Sequence, residues 1–199
     1  MRYAPEHKQA TRERILSAAQ TLFRKEGFAG ASVERVMKAA GLTVGGFYAH
    51  FASKETLLAE SVRAFFQQQQ VRWFGGLEGL RGAEFLDPFV RRYLNPHIRD
   101  NMETGCVMPS VLSDLTRGTP EAREALAQGV ETLATELATH VPGEGGLTGR
   151  QRALATVALL FGAMTLARAA KHLPVSDEIL EAARAFLLAG GAPPPKKRH

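Results

Sequence analysis

Apolar residues recur along this chain at spacings of three and four almost from end to end, while the strict alternation that marks a strand is almost absent. An all-α protein is predicted. Over residues 9–26, Ile15, Ala18, Ala19, Leu22 and Phe23 form one stripe, and Gly27 ends it. Ser32 is placed to cap a second, short helix with Val33, Val36, Met37 and Ala40 inward, and Gly41 suits the left-handed conformation that closes such a helix. Thr43 is placed to cap a third segment of about two turns, in which Phe47 and Phe51 anchor one side while Tyr48 and His50 project from it. Ser53 then opens a long fourth helix over residues 53–74, with Leu58, Val62, Phe65 and Phe66 along one side and Gly75 and Gly76 after it. Two short helices meeting across Gly41, Leu42 and Thr43 make a helix-turn-helix, whose second helix is built to enter a major groove.

The periodicity continues through residues 84–94, where Asp87 is the expected cap, Pro88 lies early and Pro96 ends the helix. Residues 106–116 read as a short helix, and Pro120 sits in the first turn of a longer one reaching His140. The glycine-rich stretch VPGEGGLTG, residues 141–149, is a linker rather than a phosphate loop, since it follows a helix and lacks the GxGxxG and GKT/GKS spacings. Residues 150–171 are apolar nearly all round, and residues 175–189, with Ser176 as expected cap, carry a broad apolar stripe. A helix apolar on every side is poorly suited to the edge of a monomer. Two such helices per subunit predict a four-helix bundle across a two-fold axis, with Leu154, Val157, Phe161, Ile179, Ala183, Phe186 and Leu187 at the interface. The alternative is a fully internal helix in a monomer.

Charge sharpens where a partner should bind. Residues 1–54 hold nine Lys and Arg against four Glu, whereas the remainder holds 16 of each sign, so the formal excess of +5 belongs to the N-terminal quarter. An anionic partner is expected there. The 45% apolar composition is enough for a real core, and Cys106, the single cysteine, excludes an internal disulfide and any cysteine-based zinc cluster. The polar start MRYAPEHKQATRER predicts no secretory leader, and the longest apolar run, residues 153–167, falls short of the roughly 20 residues that span a bilayer. A cytoplasmic location is expected. Six scattered histidines show no metal-ligand spacing and no nucleophile motif occurs, so no metal, no cofactor and no enzymatic activity are expected.

The N-terminal segments together carry a specific resemblance. KEGF closing the first helix, SVERVMKAAG, and LTVGGFYAHFASKETLL make residues 10–62 similar to the DNA-binding region of TetR-family transcriptional regulators; beyond them only RDNMETGCVMPSVLSDL gives a local echo. The resemblance implies a helix-turn-helix DNA-binding domain over residues 1–54, joined by the fourth helix to a ligand-binding and dimerisation domain over residues 55–190. Residues 191–199 are then a flexible basic tail, and the whole chain has about nine helices. Function is implied with it: a homodimeric repressor that binds a palindromic operator in double-stranded DNA and is released by a small hydrophobic effector.

Roles follow position by position. Tyr48, His50 and Lys54 match phosphate-contacting positions, Lys54 with the added attraction of a helix N-terminus. Thr43, Val44, Gly45, Gly46 and Ala49 occupy the groove-facing side, with Ser32 and Arg35 contributing from the preceding helix. No Arg, Asn or Gln on the recognition segment supplies a bidentate base contact, so shape, thymine methyl contacts and close backbone approach must carry specificity. Gly45 and Gly46 each cost about 1 kcal/mol against alanine in a helix, which close approach to DNA explains better than a loose turn.

For the effector, Phe65, Phe66, Trp73, Phe89, Tyr93, Met102, Cys106, Met108 and Met164 offer an aromatic and sulfur-rich lining. Each is also ordinary core material. Cys106 after Gly105 reads first as a small buried apolar residue, with thiol-based sensing of electrophiles or oxidants as the alternative. A helical protein-interaction module with a basic face is the rival to the DNA-binding reading.

Overall fold

The computed structural model describes residues 5–102 and 105–189. These form nine α-helices and one 3₁₀ helix: α1 (Pro5–Gly30), α2 (Val33–Ala39), the 3₁₀ helix (Val44–Ala49), α3 (Lys54–Phe74), α4 (Gly82–Tyr93), α5 (Pro96–Asp100), α6 (Met108–Thr116), α7 (Pro120–His140), α8 (Gly149–Ala169) and α9 (Pro174–Leu188). No strand occurs among the described residues. The expected tail, residues 191–199, lies outside them.

Two compact units divide the chain, one of residues 1–69 and 101–129, the other of residues 70–100 and 130–199. In the first unit, α1 is longer than its apolar stripe. It reaches Gly30 because Gly27, with φ of 70°, kinks the helix and one further turn follows. Ile15, Ala19 and Phe23 on its inner side meet Val36 and Met37 of α2, Phe47 and Phe51, and Leu57, Leu58 and Val62 of α3 in one buried core. Full burial of each such side chain contributes about 1.5–3 kcal/mol. Helix α6 joins the same unit: Met108, Val111 and Leu115 are buried, Ser110 Oγ donates to the Arg24 carbonyl at 2.8 Å, and Asp114 Oδ2 accepts from the Phe28 N–H at 3.0 Å. It starts at Met108, two residues later than the sequence suggests, with Pro109 in its first turn.

In the second unit, Trp73 forms the centre of an aromatic cluster, with ring centroids 5.4 Å from Tyr93 and 6.4 Å from both Phe89 and Phe161. Beside it the buried His140 ring stacks on Phe85 at 4.1 Å and 12°, and its Nδ1 lies 2.9 Å from the Leu80 carbonyl. Three expectations change here. Pro88 lies inside α4 rather than at its start, and Asp87 pairs with Arg91 one turn on instead of capping. Pro96 begins α5 rather than ending the preceding helix, with Asn95 Oδ1 accepting from the Ile98 N–H at 2.9 Å. Ser176 is not the cap of α9, because Pro174 sets the start; its buried hydroxyl donates to the Ala167 carbonyl at 2.7 Å and accepts from Arg99 at 2.8 Å. Arg99 also holds Asp177 at 2.5 Å and Asp100 at 2.9 Å, and these anions raise its pKa, while its guanidinium holds the Asp100 carboxyl below the usual range.

Helix α8 is long and apolar enough to cross a membrane. Its Ala153, Val157, Leu160, Phe161 and Met164 are nevertheless buried in its own chain, as in the core of a helical bundle. A full capping box starts it: Thr148 Oγ1 accepts from the Gln151 N–H at 3.2 Å, and Gln151 Oε1 accepts from the Thr148 N–H at 2.9 Å.

Candidate nucleic-acid interface

The helix-turn-helix is held from behind by two arginines of α1. Arg14 donates to the Ala40 carbonyl at 2.7 Å, satisfying an orphan acceptor at the end of α2. Arg12 pairs with Glu60 of α3, and its guanidinium lies 4.6 Å from the centre of the Phe51 ring. Phe47 and Phe51, stacked at 5.8 Å, are buried as the aromatic anchors their spacing suggested. The opposite side is open: Tyr48 is 70% exposed, Val44 is 45% exposed, and Thr43, Gly45 and Ala49 are exposed beside them.

This segment is a 3₁₀ helix rather than an α-helix. Its bonds run from the Gly46 N–H to the Thr43 carbonyl at 3.1 Å and from the His50 N–H to the Phe47 carbonyl at 2.9 Å. Gly45 and Gly46 supply little α propensity, and the Thr43 hydroxyl makes no capping bond, so the expected cap is absent. A Cβ at Gly45 would meet nothing within 4 Å, and one at Gly46 only Met37 Cε at 3.7 Å. Packing therefore demands a glycine at neither position. The backbone here is bare toward solvent.

The cationic groups lie around this bare strip. Ser53 Oγ accepts from the Thr56 N–H at 3.0 Å, capping α3 as expected, and Lys54 opens that helix with its Nζ 4.2 Å from the centre of the Phe28 ring. Desolvation lowers the Lys54 pKa. His50 closes the strip with its Nδ1 buried and without a hydrogen-bond partner among the described residues. Partial burial lowers its pKa below 6.5, and the charges of Lys8 and Arg12 add to the effect.

A cleft of about 470 Å³ opens beside His50, lined by His7, Lys8, Thr11, Met37, Leu42, Thr43, Gly46, Ala49 and His50. His7, Lys8 and Thr11 were not among the expected site residues. Their signal was available, since a helix starting at Pro5 places positions 7, 8 and 11 on one side of α1, but the apolar stripe begins only at Ile15.

Two expected contributors are also tied into the scaffold. Arg35 forms a bidentate pair with Glu26, with one bond of 2.6 Å, and donates to the Gly30 carbonyl at 3.1 Å. The Ser32 hydroxyl caps α2, accepting from the Arg35 N–H at 3.3 Å. Both remain exposed beside the helix-turn-helix. Glu26 is already counted against the N-terminal charge excess, but Glu60, outside residues 1–54, pairs with Arg12 and so takes one more charge from what a partner could meet.

The expected effector lining falls into both units. Phe65, Phe66, Met102, Cys106 and Met108 belong to the first, with Phe65 and Phe66 in edge contact at 5.3 Å; Trp73, Phe89, Tyr93 and Met164 belong to the second. Cys106 is buried and is not part of a disulfide. Of the expected dimer residues, Val157, Phe161, Ala183 and Leu187 are buried within their own chain, Leu154 and Ile179 are half-buried, and Phe186 is 61% exposed. The outward apolar surface is carried by Phe186 together with Leu166, 60% exposed, and the small residues Ala158, Gly162, Ala182 and Ala185.

Fold and site together define a helix-turn-helix protein of the kind that lays a short segment against DNA. Residues 15–61 match the family of bacterial regulatory proteins named for tetR. The chain is similar to the transcriptional regulator UidR of Escherichia coli K12, 37% identical over 83 residues, covering 41% of this chain and 40% of that protein. It is 38% identical over 58 residues to the repressor KstR2 of Rhodococcus jostii, covering 29% and 28%. The matches thus span well under half the length of these relatives. The fold extends further: the reduced form of E. coli NemR superposes with a TM-score of 0.76 at 22% identity over 89% of this chain and 95% of that one. A regulator from Chloroflexus aurantiacus gives 0.75 at 24% identity over 92% and 95%. Residues 15–61 thus carry the helix-turn-helix region of tetR-type bacterial regulatory proteins, and over the rest of the chain the likeness is one of fold.

Proposed function

We propose that this protein is a cytoplasmic, ligand-responsive repressor that binds a palindromic operator as a homodimer and is released by a small hydrophobic effector. The observation that carries the reading is the bare strip Thr43–Ala49, whose outer side lacks bulky groups at Gly45, Gly46 and Ala49 and is flanked by Tyr48, His50 and Lys54. A strip without bulk lets the backbone approach base edges, and phenol, imidazole and ammonium hold phosphates at its margin. Dimerisation is supported by the apolar outward surface of α8 and α9 around Leu166 and Phe186. Two strips related by a two-fold axis would read half-sites about 34–36 Å apart. The hydrophobic effector is supported by the aromatic cluster of Trp73, Phe89 and Tyr93. Effector coupling of this kind typically requires about 1–3 kcal/mol.

The test is selection of duplexes from a random-sequence pool by the full chain, followed by titration at two salt concentrations in excess competitor DNA. The repressor reading expects a palindromic consensus and retention against competitor. Binding that is weak, without sequence preference and lost first with salt would instead favour a basic surface evolved for an acidic protein.

A further inference from the structure

Lys54 is not a free surface lysine. Its ammonium rests on the Phe28 ring at 4.2 Å, and Phe28 is fixed in turn by its own backbone N–H, which donates to Asp114 Oδ2 at 3.0 Å. Asp114 belongs to α6, 86 residues further along the chain, and its side chain is only 18% exposed. Gly27 makes the approach possible. Its φ of 70° turns the Phe28 N–H out of the helical ladder of α1 toward α6, and a Cβ there would stand 3.3 Å from the Ser110 carbonyl and 3.5 Å from Asp114 Oδ2. A second bond, from Ser110 Oγ to the Arg24 carbonyl at 2.8 Å, holds the same two helices together one turn away.

We propose that Asp114 is a positioning residue for Lys54: by holding the Phe28 N–H it fixes the ring on which the ammonium lies, so that the place of α6 sets a phosphate contact of the DNA-binding face. The inference rests on the DNA-binding reading above. A shift of α6 that released the Phe28 N–H would free the ring and scatter the ammonium, weakening DNA binding through this contact even with the recognition strip unchanged.

Asp114→Asn and Asp114→Leu separate this role from simple charge. Both remove the carboxylate, but only asparagine keeps an acceptor for the Phe28 N–H. Each is made in the full chain with Lys54 present and again with Lys54→Ala, and binding is measured to the duplex selected by the unsubstituted protein. With Lys54 present, the leucine variant should bind about fivefold more weakly than the asparagine variant, the scale of one lost cation–ring contact. With Lys54→Ala the two should bind equally. Equal affinities with Lys54 present, or a gap that survives its removal, would overturn the proposal. Should Asp114→Leu fail to fold, Phe28→Leu takes its place; it removes the ring but keeps apolar volume, and the loss must again require Lys54. Failure of the unsubstituted chain to retain any duplex would overturn the DNA-binding reading itself, and this proposal with it.

Discussion

Arg14 of α1 reaches the carbonyl of Ala40 at 2.7 Å, and its guanidinium also stands 3.2 Å from where a side chain at Gly41 would begin. One residue thus satisfies the end of α2 and occupies the space behind the turn of the helix-turn-helix. Arg14→Ala should lower unfolding free energy by about 1–2 kcal/mol, the cost of leaving a partly buried acceptor without its charged donor. Urea titration followed by circular dichroism measures it. Gly41→Ala should cost at least as much, because φ of 67° strains any residue with a Cβ. A change within error for both would show that the turn does not depend on this contact.

His50 predicts a pH dependence of DNA binding. Its pKa in the free protein is lowered below 6.5, chiefly by burial and then by Lys8 and Arg12, and a phosphate beside the ring would raise it again. The complex therefore takes up a proton. Affinity should be flat above the value in the complex, rise as pH falls through it, and level off below the value of the free protein. His50→Gln should remove this component of the slope. Folding stability runs the other way: the depressed value favours the neutral ring, so the contribution is complete above 6.5 and is lost as pH falls through the folded value.

Gly46→Leu separates close approach from mere looseness. Only Met37 Cε lies within 4 Å of a Cβ at this position, so the fold has room for the side chain and the melting temperature should stay within a few degrees. DNA binding should nevertheless disappear, because the new side chain stands where the groove would be. Unchanged affinity in a fluorescence anisotropy titration would remove the close-approach account.

The exposed apolar surface of α8 and α9 can be tested without DNA. Leu166 and Phe186 are 60% and 61% exposed, and Leu166→Asp with Phe186→Lys should convert a dimer to a monomer in sedimentation velocity while preserving helicity. The outcome that counts against the dimer reading is a monomer before any substitution is made.

Gly129 of α7 is occupied from outside its helix: a Cβ there would fall 2.0 Å from Cδ2 of Phe66. Gly129→Ala must drive the ring out, at a cost of about 1–3 kcal/mol. Combining it with Phe66→Leu should recover part of the loss, measured as midpoint shifts in urea.

Much of this fold is legible in the chain because its signals are local. Helix α7 runs from Pro120 to His140, where the sequence placed it, since proline in the first turn and apolar periodicity agree. Phe47, Phe51 and the Ser53 cap could likewise be read from spacing alone. What escaped depends on distant partners. Arg35 sits where a groove contact would, but Glu26, nine residues away beyond the break at Gly27, claims its guanidinium by a contact that no single-helix spacing rule registers. Helix α5 is only five residues long, too short for periodicity, and Pro96 is equally suited to end one helix or begin another. In α8, apolarity all round led to the expectation that both sides are covered, without telling which residues face which way. Val157 and Phe161 turned inward, leaving Leu166 outside.

The empty space around Gly45 bears on how such a protein could change its target. A Cβ there meets no atom within 4 Å, so the position answers to whatever lies in front of it and hardly at all to the interior behind it. A mutation at this codon could add a base-reading side chain at little cost to folding. Lineages descended from this sequence could therefore acquire new DNA addresses in single steps while the scaffold that presents them stays fixed.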